Sequence, residues 1–254
     1  MRLLARLEFD GTQFAGWQLQ DDARSVQGEV ELALKTSLRS PSRIIVNGCS
    51  RTDAGVHARE FFCNFDVDVA LDGDGIERLR HSTNSLLPAE IVITQLKEIA
   101  QDFDAQRNAV SKTYQYRVLL RRAKPTIDRA FVWWISATPA DLNKIAIDQC
   151  LNAIQGTHDF RSFMAAGSSA KSTVRTIHSA TAKLIGEQLI FEICGNGFLK
   201  QMVRNLVGTI VETAQGKRDV SSFAPLLGAH GDRILAGLCA PPQGLSLIKV
   251  DFNA

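Results

Sequence analysis

Residues 59–69 alternate in polarity, with Phe61, Cys63, Phe65, Val67 and Val69 on one face and Glu60, Asn64, Asp66 and Asp68 on the other. A period of two places successive side chains on opposite faces of a strand, so this segment reads as a strand buried on one side. Residues 2–9 repeat the pattern, with Leu3, Ala5, Leu7 and Phe9 set against Arg2, Arg6 and Glu8. Between the two runs, Val26, Val30, Ala33, Leu34 and Leu38 recur at helical spacing, and Ser25 stands where an N-cap is wanted. One-sided strands with an amphipathic helix between them need a layer of helix on sheet, which is an α+β architecture.

The same reading extends along the chain. Asp10-Gly11-Thr12 ends the first strand in turn residues, and Arg43 to Asn47 reads as a short strand. A helix is expected near 74–86 and a strand at 90–97, followed by an aperiodic crossover over 98–110. A second set then begins, with strands at 112–121 and around 130–135 and a helix over 139–154 that Pro139 would open. Strands at 174–185 and 188–195 meet at Gly186-Glu187. An amphipathic helix over 198–215, a short helix over 219–228 and a strand over 245–252 complete the order. Gly167-Ser168-Ser169 and Pro241-Pro242 mark loops. Two α+β halves are expected, residues 1–105 and 106–254, each an antiparallel sheet with helices on one side.

Composition narrows the function. The chain has 254 residues, 45% hydrophobic and 22% charged, enough to bury a core without staples. Five cysteines are scattered without CxxC spacing, which argues against a disulfide framework or a zinc site and favours a reducing compartment. The N-terminal residues are interrupted by charge and do not form a signal peptide, and no apolar run reaches membrane-spanning length. A cytoplasmic protein is expected. The net charge of +2 permits a polyanionic partner without implying one.

Three places could carry chemistry. Arg51-Thr52-Asp53-Ala54-Gly55-Val56-His57 sets a carboxylate in a polar turn between two strands. Asp53 there could simply cap the turn. With Arg51 and His57 on the same loop it could instead be a reactive carboxylate, since a nearby arginine favours the ionised form. Tyr114 and Tyr116, the chain's two tyrosines, share a strand face with Lys112. They read either as core rings or as a platform for a nucleic-acid base with Lys112 on phosphate. Lys200 and Arg204 stand four apart along the edge of the 198–215 stripe, as solvated charges or with Arg204 reaching a carboxylate. The histidines lack metal spacing, and Gly195-Asn196-Gly197 lacks the lysine and serine of a phosphate loop.

Five separated blocks resemble one family in its order. They are Glu8-Phe9-Asp10-Gly11-Thr12-Gln13-Phe14-Ala15-Gly16-Trp17-Gln18, Arg51 to His57, Lys112-Thr113-Tyr114-Gln115-Tyr116, Gly156-Thr157-His158-Asp159-Phe160-Arg161-Ser162-Phe163, and Met202-Val203-Arg204-Asn205-Leu206-Val207-Gly208. The chain resembles the TruA family of tRNA pseudouridine synthases. It departs from the family pattern at Ala58-Arg59-Glu60-Phe61 and over His81 to Pro88, where Asn84 and Leu87-Pro88 are kept.

The resemblance implies two ferredoxin-like halves forming one mixed, mainly antiparallel sheet with a central active-site cleft. It implies isomerisation of uridine to pseudouridine in the anticodon arm of tRNA by a homodimer, with no cofactor, no metal and no membrane. Asp53 falls on the catalytic aspartate, as nucleophile or as base. Tyr114 falls on the residue that packs on the target base, Arg204 on the partner of the aspartate, and Arg51 on the arginine that holds the base out of its helix. Lys112 and Arg24 would add to a basic cleft. A non-catalytic RNA-binding protein and a hydrolase with a carboxylate nucleophile are the rival readings.

Overall fold

A computed structural model of the chain describes residues 1–168 and 170–253. Ser169, in the loop expected at Gly167-Ser168-Ser169, and Ala254, the end of the expected second half, lie outside the described residues. Two compact units divide the chain: Met1–Val110 together with the C-terminal segment from Leu247, and Ser111–Ser246. Both are α+β. Every pairing described within them is antiparallel except one short parallel pair, so the sheet is mixed and mainly antiparallel.

In the first unit, β1 (Arg2–Phe9) lies between β4 (Ile91–Ile99) and β3 (His57–Asp66), and β10 (Leu245–Phe252) lies on the far side of β3. The short β2 (Asn47–Gly48) pairs with β3. The alternation seen in the sequence is the reason. Leu3, Ala5 and Leu7 of β1 and Phe61, Cys63 and Phe65 of β3 turn to one buried face, while α2 (Gly73–Asn84) packs on β4 and on α1 (Val26–Ser37). Ser25 caps α1 as expected, its Oγ accepting the Gly28 N–H at 3.2 Å.

Two expectations for this unit fail. Residues 43–46 form no strand. The Val46 backbone is held by side chains of α1 instead: its N–H donates to Glu31 Oε1 at 3.0 Å and its carbonyl accepts from Gln27 Nε2 at 3.1 Å. The polar face of β3 is not simply solvated either. Asn64 is 1% exposed and accepts the Ala105 N–H at 2.8 Å, while Phe62 packs edge-on against Phe252, which also meets Phe103. The aperiodic crossover therefore folds over that face, and its irregularity follows from covering a sheet.

In the second unit, β9 (Gln188–Gly195) lies between β5 (Ala109–Leu120) and β8 (Val174–Ile185), and β7 (Gly156–Asp159) flanks β8. β6 (Trp133–Ile135) runs parallel to the end of β5. Gly186, at φ +58°, turns the β8–β9 hairpin where the sequence placed it. α3 (Lys144–Ile154) packs on β8 and on α4 (Met202–Ala214).

Helix ends are where the sequence reading errs. The helix expected over 139–154 is broken. Pro139–Asp141 is a separate turn closed by Asp141 on the Thr138 N–H and hydroxyl; Leu142 is extended, and Asn143 caps α3 afresh. The helix expected over 198–215 begins at Met202, because Gln201 sits at φ +60° and cannot continue a right-handed helix. Lys200 thus lies outside α4, its Nζ on the Ala166 carbonyl at 3.2 Å, and forms no helical edge with Arg204. The helix expected over 219–228 is two short turns, Val220–Ser222 and Ala224–Leu226, the first opened by Asp219 and the second holding Pro225. β7 was read only as part of a motif, its four residues too short to show a period.

β4 is an edge strand, and its backbone is occupied. Asn84, at the end of α2, donates to the Ile93 carbonyl at 2.9 Å and accepts the Ile93 N–H at 2.8 Å. One side-chain amide thereby completes a rung of the ladder and blocks pairing with another chain. The Asn84→Ala chain should lose about 1–3 kcal/mol of unfolding free energy in urea titration. Light scattering during refolding should show more self-association than the parent, because the Ile93 N–H is then open, while Arg80 Nη1 still holds the Ile93 carbonyl at 3.2 Å.

Candidate active site

Asp53 sits in a four-residue turn, Asp53 to Val56, closed by the Val56 N–H on the Asp53 carbonyl at 3.1 Å, with Gly55 at φ +76°. The turn rests on the segment that follows β1. The Trp17 N–H donates to the Thr52 carbonyl at 3.2 Å, and the Gly55 N–H donates to the Phe14 carbonyl at 3.2 Å. The approach is so close that glycine is required on the supporting side. A Cβ on Gly11 would collide with the Val56 carbonyl, and one on Gly16, itself at φ +102°, would collide with the Thr52 carbonyl.

Trp17 anchors this bed. It is 2% exposed and lies 4.1 Å from the Phe61 ring by centroids. Its indole also covers Gly48, where a Cβ would come within 2.5 Å of Nε1. The Trp17 carbonyl receives the Gln27 N–H at 3.0 Å, so α1, the bed and the Asp53 turn are linked through backbone. Arg24 lies over the Phe14 ring at 4.6 Å and pairs with Glu29 at 2.6 Å, so its charge is already partnered.

Asp53 is half-buried on this turn, Arg51 is exposed, and Thr52 between them is buried. The Thr52 hydroxyl is enclosed with no hydrogen-bond partner among the described residues. His57 opens β3. Its Nδ1 lies 3.1 Å from the Gly11 N and 3.1 Å from Asp10 Oδ1. The first unit thus brings Asp53, Arg51 and His57 onto one loop.

The second unit carries the other candidates. Tyr114 lies on β5 opposite Ile193, 5% exposed, and meets the Phe198 ring edge-on at 5.1 Å. Lys112 lies two residues earlier, opposite Gly195. Tyr116 is a core ring, as one reading had it. It is fully buried, its hydroxyl donates to the Pro241 carbonyl at 2.6 Å, and its ring leaves no room for a side chain at Gly244. Burial pushes its phenol far above the ordinary range, against the opposing pull of the Arg204 charge, which places Arg204 near it.

Arg204 occupies the first turn of α4 and donates from Nε to the Ala240 carbonyl at 2.8 Å, while the Ala240 N–H returns to the Arg204 carbonyl at 3.2 Å. One turn on, Gly208 touches the Leu238 carbonyl so closely that no Cβ would fit. Asn205, fully buried, donates to the Phe163 carbonyl at 2.8 Å and accepts from Arg233 Nη2 at 3.0 Å. It ties the His158 to Phe163 block, α4 and the 233–240 segment together. Sequence reasoning missed Phe198 and the roles of Asn205 and Gly11. The glycines at 11 and 16 were a usable signal for the last, since each marks a close backbone approach.

A family model described as tRNA pseudouridine synthase matches residues 151–253. The tRNA pseudouridine synthase A of Geobacillus kaustophilus is 38% identical over 252 residues, covering 99% of this chain and 95% of that protein. The tRNA pseudouridine synthase A of Geobacter sp. strain M21 is 36% identical over 246 residues, covering 97% and 96%. A solved structure titled as a Cbf5-Nop10-Gar1 complex aligns distantly, with 11% identity and a TM-score of 0.37, covering 97% of this chain and 58% of that one.

Two measurements test the local geometry. Gly16→Ala combines a positive φ with a collision at Thr52 and should cost about 1–3 kcal/mol of stability. Gly73→Ala, with nothing within 4 Å, should cost nothing in the same denaturant series. Asp159 offers a pH test. Burial pushes its carboxyl up, but hydrogen bonds from Arg161 and Thr173 outweigh it and hold it below the usual range. Its contribution is therefore present above its unfolded value of about 3.9 and lost as pH falls through the lower folded value. The stability gap between the parent and Asp159→Asn should be flat at neutral pH and close only below about pH 4.

Proposed function

The chain belongs to the tRNA pseudouridine synthase A family, and we propose that it isomerises uridine to pseudouridine in the anticodon arm of tRNA, with Asp53 as the carboxylate that acts on the target nucleotide. The observation that carries the reading is identity of 38% along 99% of the chain. The family is one of isomerases acting on tRNA, so the substrate class follows from membership. The anticodon arm and the assignment of residues are proposed from the five matching blocks.

The reaction exchanges one bond for another. The uracil N1–C1′ bond breaks and a C5–C1′ bond forms; C5 gives up a proton and N1 gains one, so the product is an isomer. The target nucleotide must leave its stack for a side chain to reach the sugar. Asp53 then acts by one of two routes. As a nucleophile, its oxygen attacks C1′, and uracil departs with the N1 bonding pair. After rotation, C5 attacks C1′ and expels the carboxylate. As a base, it removes a proton from the sugar at C2′, and uracil again departs with the N1 pair. C5 then returns to C1′, and C2′ recovers its proton.

Both routes need the carboxylate fixed relative to the ribose, because misplacement by an ångström can cost on the order of 100-fold. The bed of Gly11, Gly16 and Trp17 supports this reading, since it fixes the turn through backbone contacts on either side of Asp53. The buried, unpartnered Thr52 hydroxyl supports it too: holding the turn in this position is given priority over satisfying that group.

The other residues take parts in the same proposal. Arg204 takes the part that its matching block implies, the partner that favours the charged form of the catalytic carboxylate. Tyr114 packs on the uracil, with Phe198 supporting its ring edge-on. Arg51, exposed on the turn, holds the extruded nucleotide out of the RNA helix, and Lys112 meets phosphate. The active protein is a homodimer in the cytoplasm, with tRNA as its partner. Among the described residues no helix is long and apolar enough to cross a membrane.

Asp53→Asn should lower the single-turnover rate of pseudouridine formation on unmodified tRNA by roughly 10³-fold or more, the scale expected for loss of a nucleophile or base. Affinity for tRNA should be kept, and should fall steeply with salt in both chains. Product confined to the anticodon arm, mapped nucleotide by nucleotide, would establish the target. Full activity in Asp53→Asn would remove the assignment. Deuterium at the ribose C2′ separates the routes: slowed turnover supports the base, unchanged turnover the nucleophile.

A further inference from the structure

We propose that His57 is a positioning residue for Asp53, held as the neutral tautomer with its proton on Nε2 and acting through Nδ1 on the Gly11 N–H. The proposal rests on the reading of Asp53 as the catalytic carboxylate.

β1 and β3 pair regularly from Arg2–Asp66 to Leu7–Phe61, then shift register before Phe9 meets Ala58. A bulge of this kind adds a residue to one strand and re-aims the side chains beside it. His57 lies just beyond this shift, 4% exposed, and its ring is turned to the segment that follows β1, where Nδ1 meets Asp10 and Gly11.

Nδ1 has two neighbours at 3.1 Å: the Gly11 N–H, a donor, and Asp10 Oδ1, an acceptor. One nitrogen cannot serve both, so the partners' other bonds decide. Asp10 Oδ1 already accepts the Thr12 N–H at 2.9 Å and the Thr12 hydroxyl at 2.5 Å. The Gly11 N–H is buried, and its bond to Nδ1 is the one that satisfies it. Nδ1 is therefore the acceptor, and the neutral ring carries its proton on Nε2. Protonation at Nδ1 would set two N–H groups against each other inside the protein.

Gly11 is the residue whose Cα packs against the Val56 carbonyl with no room for a Cβ. Val56 is the last residue of the Asp53 turn, and its N–H closes that turn on the Asp53 carbonyl. A ring that fixes Gly11 therefore sets the floor beneath the turn and thereby the height of the carboxylate. His57 touches no reacting atom in this account. Its effect passes through Gly11 and Val56.

The test compares His57→Asn, which keeps an acceptor near the Nδ1 position, with His57→Gln, which moves it outward, and with Asp53→Asn. Single-turnover rate, tRNA affinity and thermal unfolding are measured on the full chain. His57→Gln should slow turnover on the order of 100-fold with tRNA affinity unchanged, and His57→Asn should recover most of the rate. A slow His57→Asn chain, or a His57→Gln chain as fast as the parent, would overturn the proposal. Nitrogen-15 NMR of the imidazole rings, with His57 assigned by its loss in the Asn variant, gives a second readout without activity. Nδ1 should be unprotonated at neutral pH, and a proton found on Nδ1 would overturn the geometry. If Asp53→Asn stays active, the catalytic reading fails separately, whatever the ring shows.

Discussion

The backbone of residues 11–17 lies directly on the backbone of residues 52–56, and the rest of the first unit's site depends on that contact. Two peptide hydrogen bonds join the segments, and two glycines let them close. Backbone contact is a stiffer support than side-chain contact, because no rotamer has to be held. Trp17 keeps the supporting segment from drifting, being packed at a tilt on Phe61 of β3 and bonded through its carbonyl to α1. The aspartate is thus referenced to the same β3 core that organises the unit. This explains in physical terms why the opening block and the aspartate block occur together in one sequence: each is the packing partner of the other.

The second unit solves a similar problem with a side chain. Asn205 bonds the Phe163 carbonyl and the Arg233 guanidinium from one amide, and Thr209 extends the link to the Gly237 N–H at 2.9 Å. Three segments distant in sequence are thereby fixed around the first two turns of α4. A fully buried amide with its donor and acceptor both engaged specifies a single arrangement, whereas an apolar residue there would tolerate several. Arg204 and the 238–240 segment are set by this hub together with Gly208.

How much of this was legible in the sequence depends on the scale of the signal. The strands at 2–9, 174–185, 188–195 and 245–252 and the cap at Ser25 are where the sequence put them, because alternation and capping are local and act over a few residues. The breaks at Leu142 and Gln201 were invisible, since the apolar spacing runs on through both while the backbone does not. Residues 43–46 lost their strand to two polar side chains of α1, a competition that no local pattern reveals. The burial of Asn64 went unseen for the same reason: alternation tells which way a side chain points, not what later covers it. The blocks themselves were legible as likeness. Their reasons, a glycine against a carbonyl and an amide between three loops, required the fold.

The start of α4 shows where stability and chemistry diverge. A helix N-terminus carries partial positive charge, and a carboxylate in the first turn is worth roughly 0.3–1 kcal/mol. α4 has no acidic residue there, no side-chain cap and a left-handed residue at the cap position. In its first turn it carries Arg204, the wrong charge for the helix dipole. Each choice weakens the helix, and an Asn, Ser or Asp at position 201 would be the stabilising alternative. The hub at Asn205 and the apolar stripe hold α4 without them. The left-handed turn sets the helix to begin only at Met202, so that Arg204 projects from its first turn rather than from its middle. Its Nε is held on the Ala240 carbonyl at 2.8 Å, so the hub and the 238–240 segment, and not the helix dipole, decide where this charge stands.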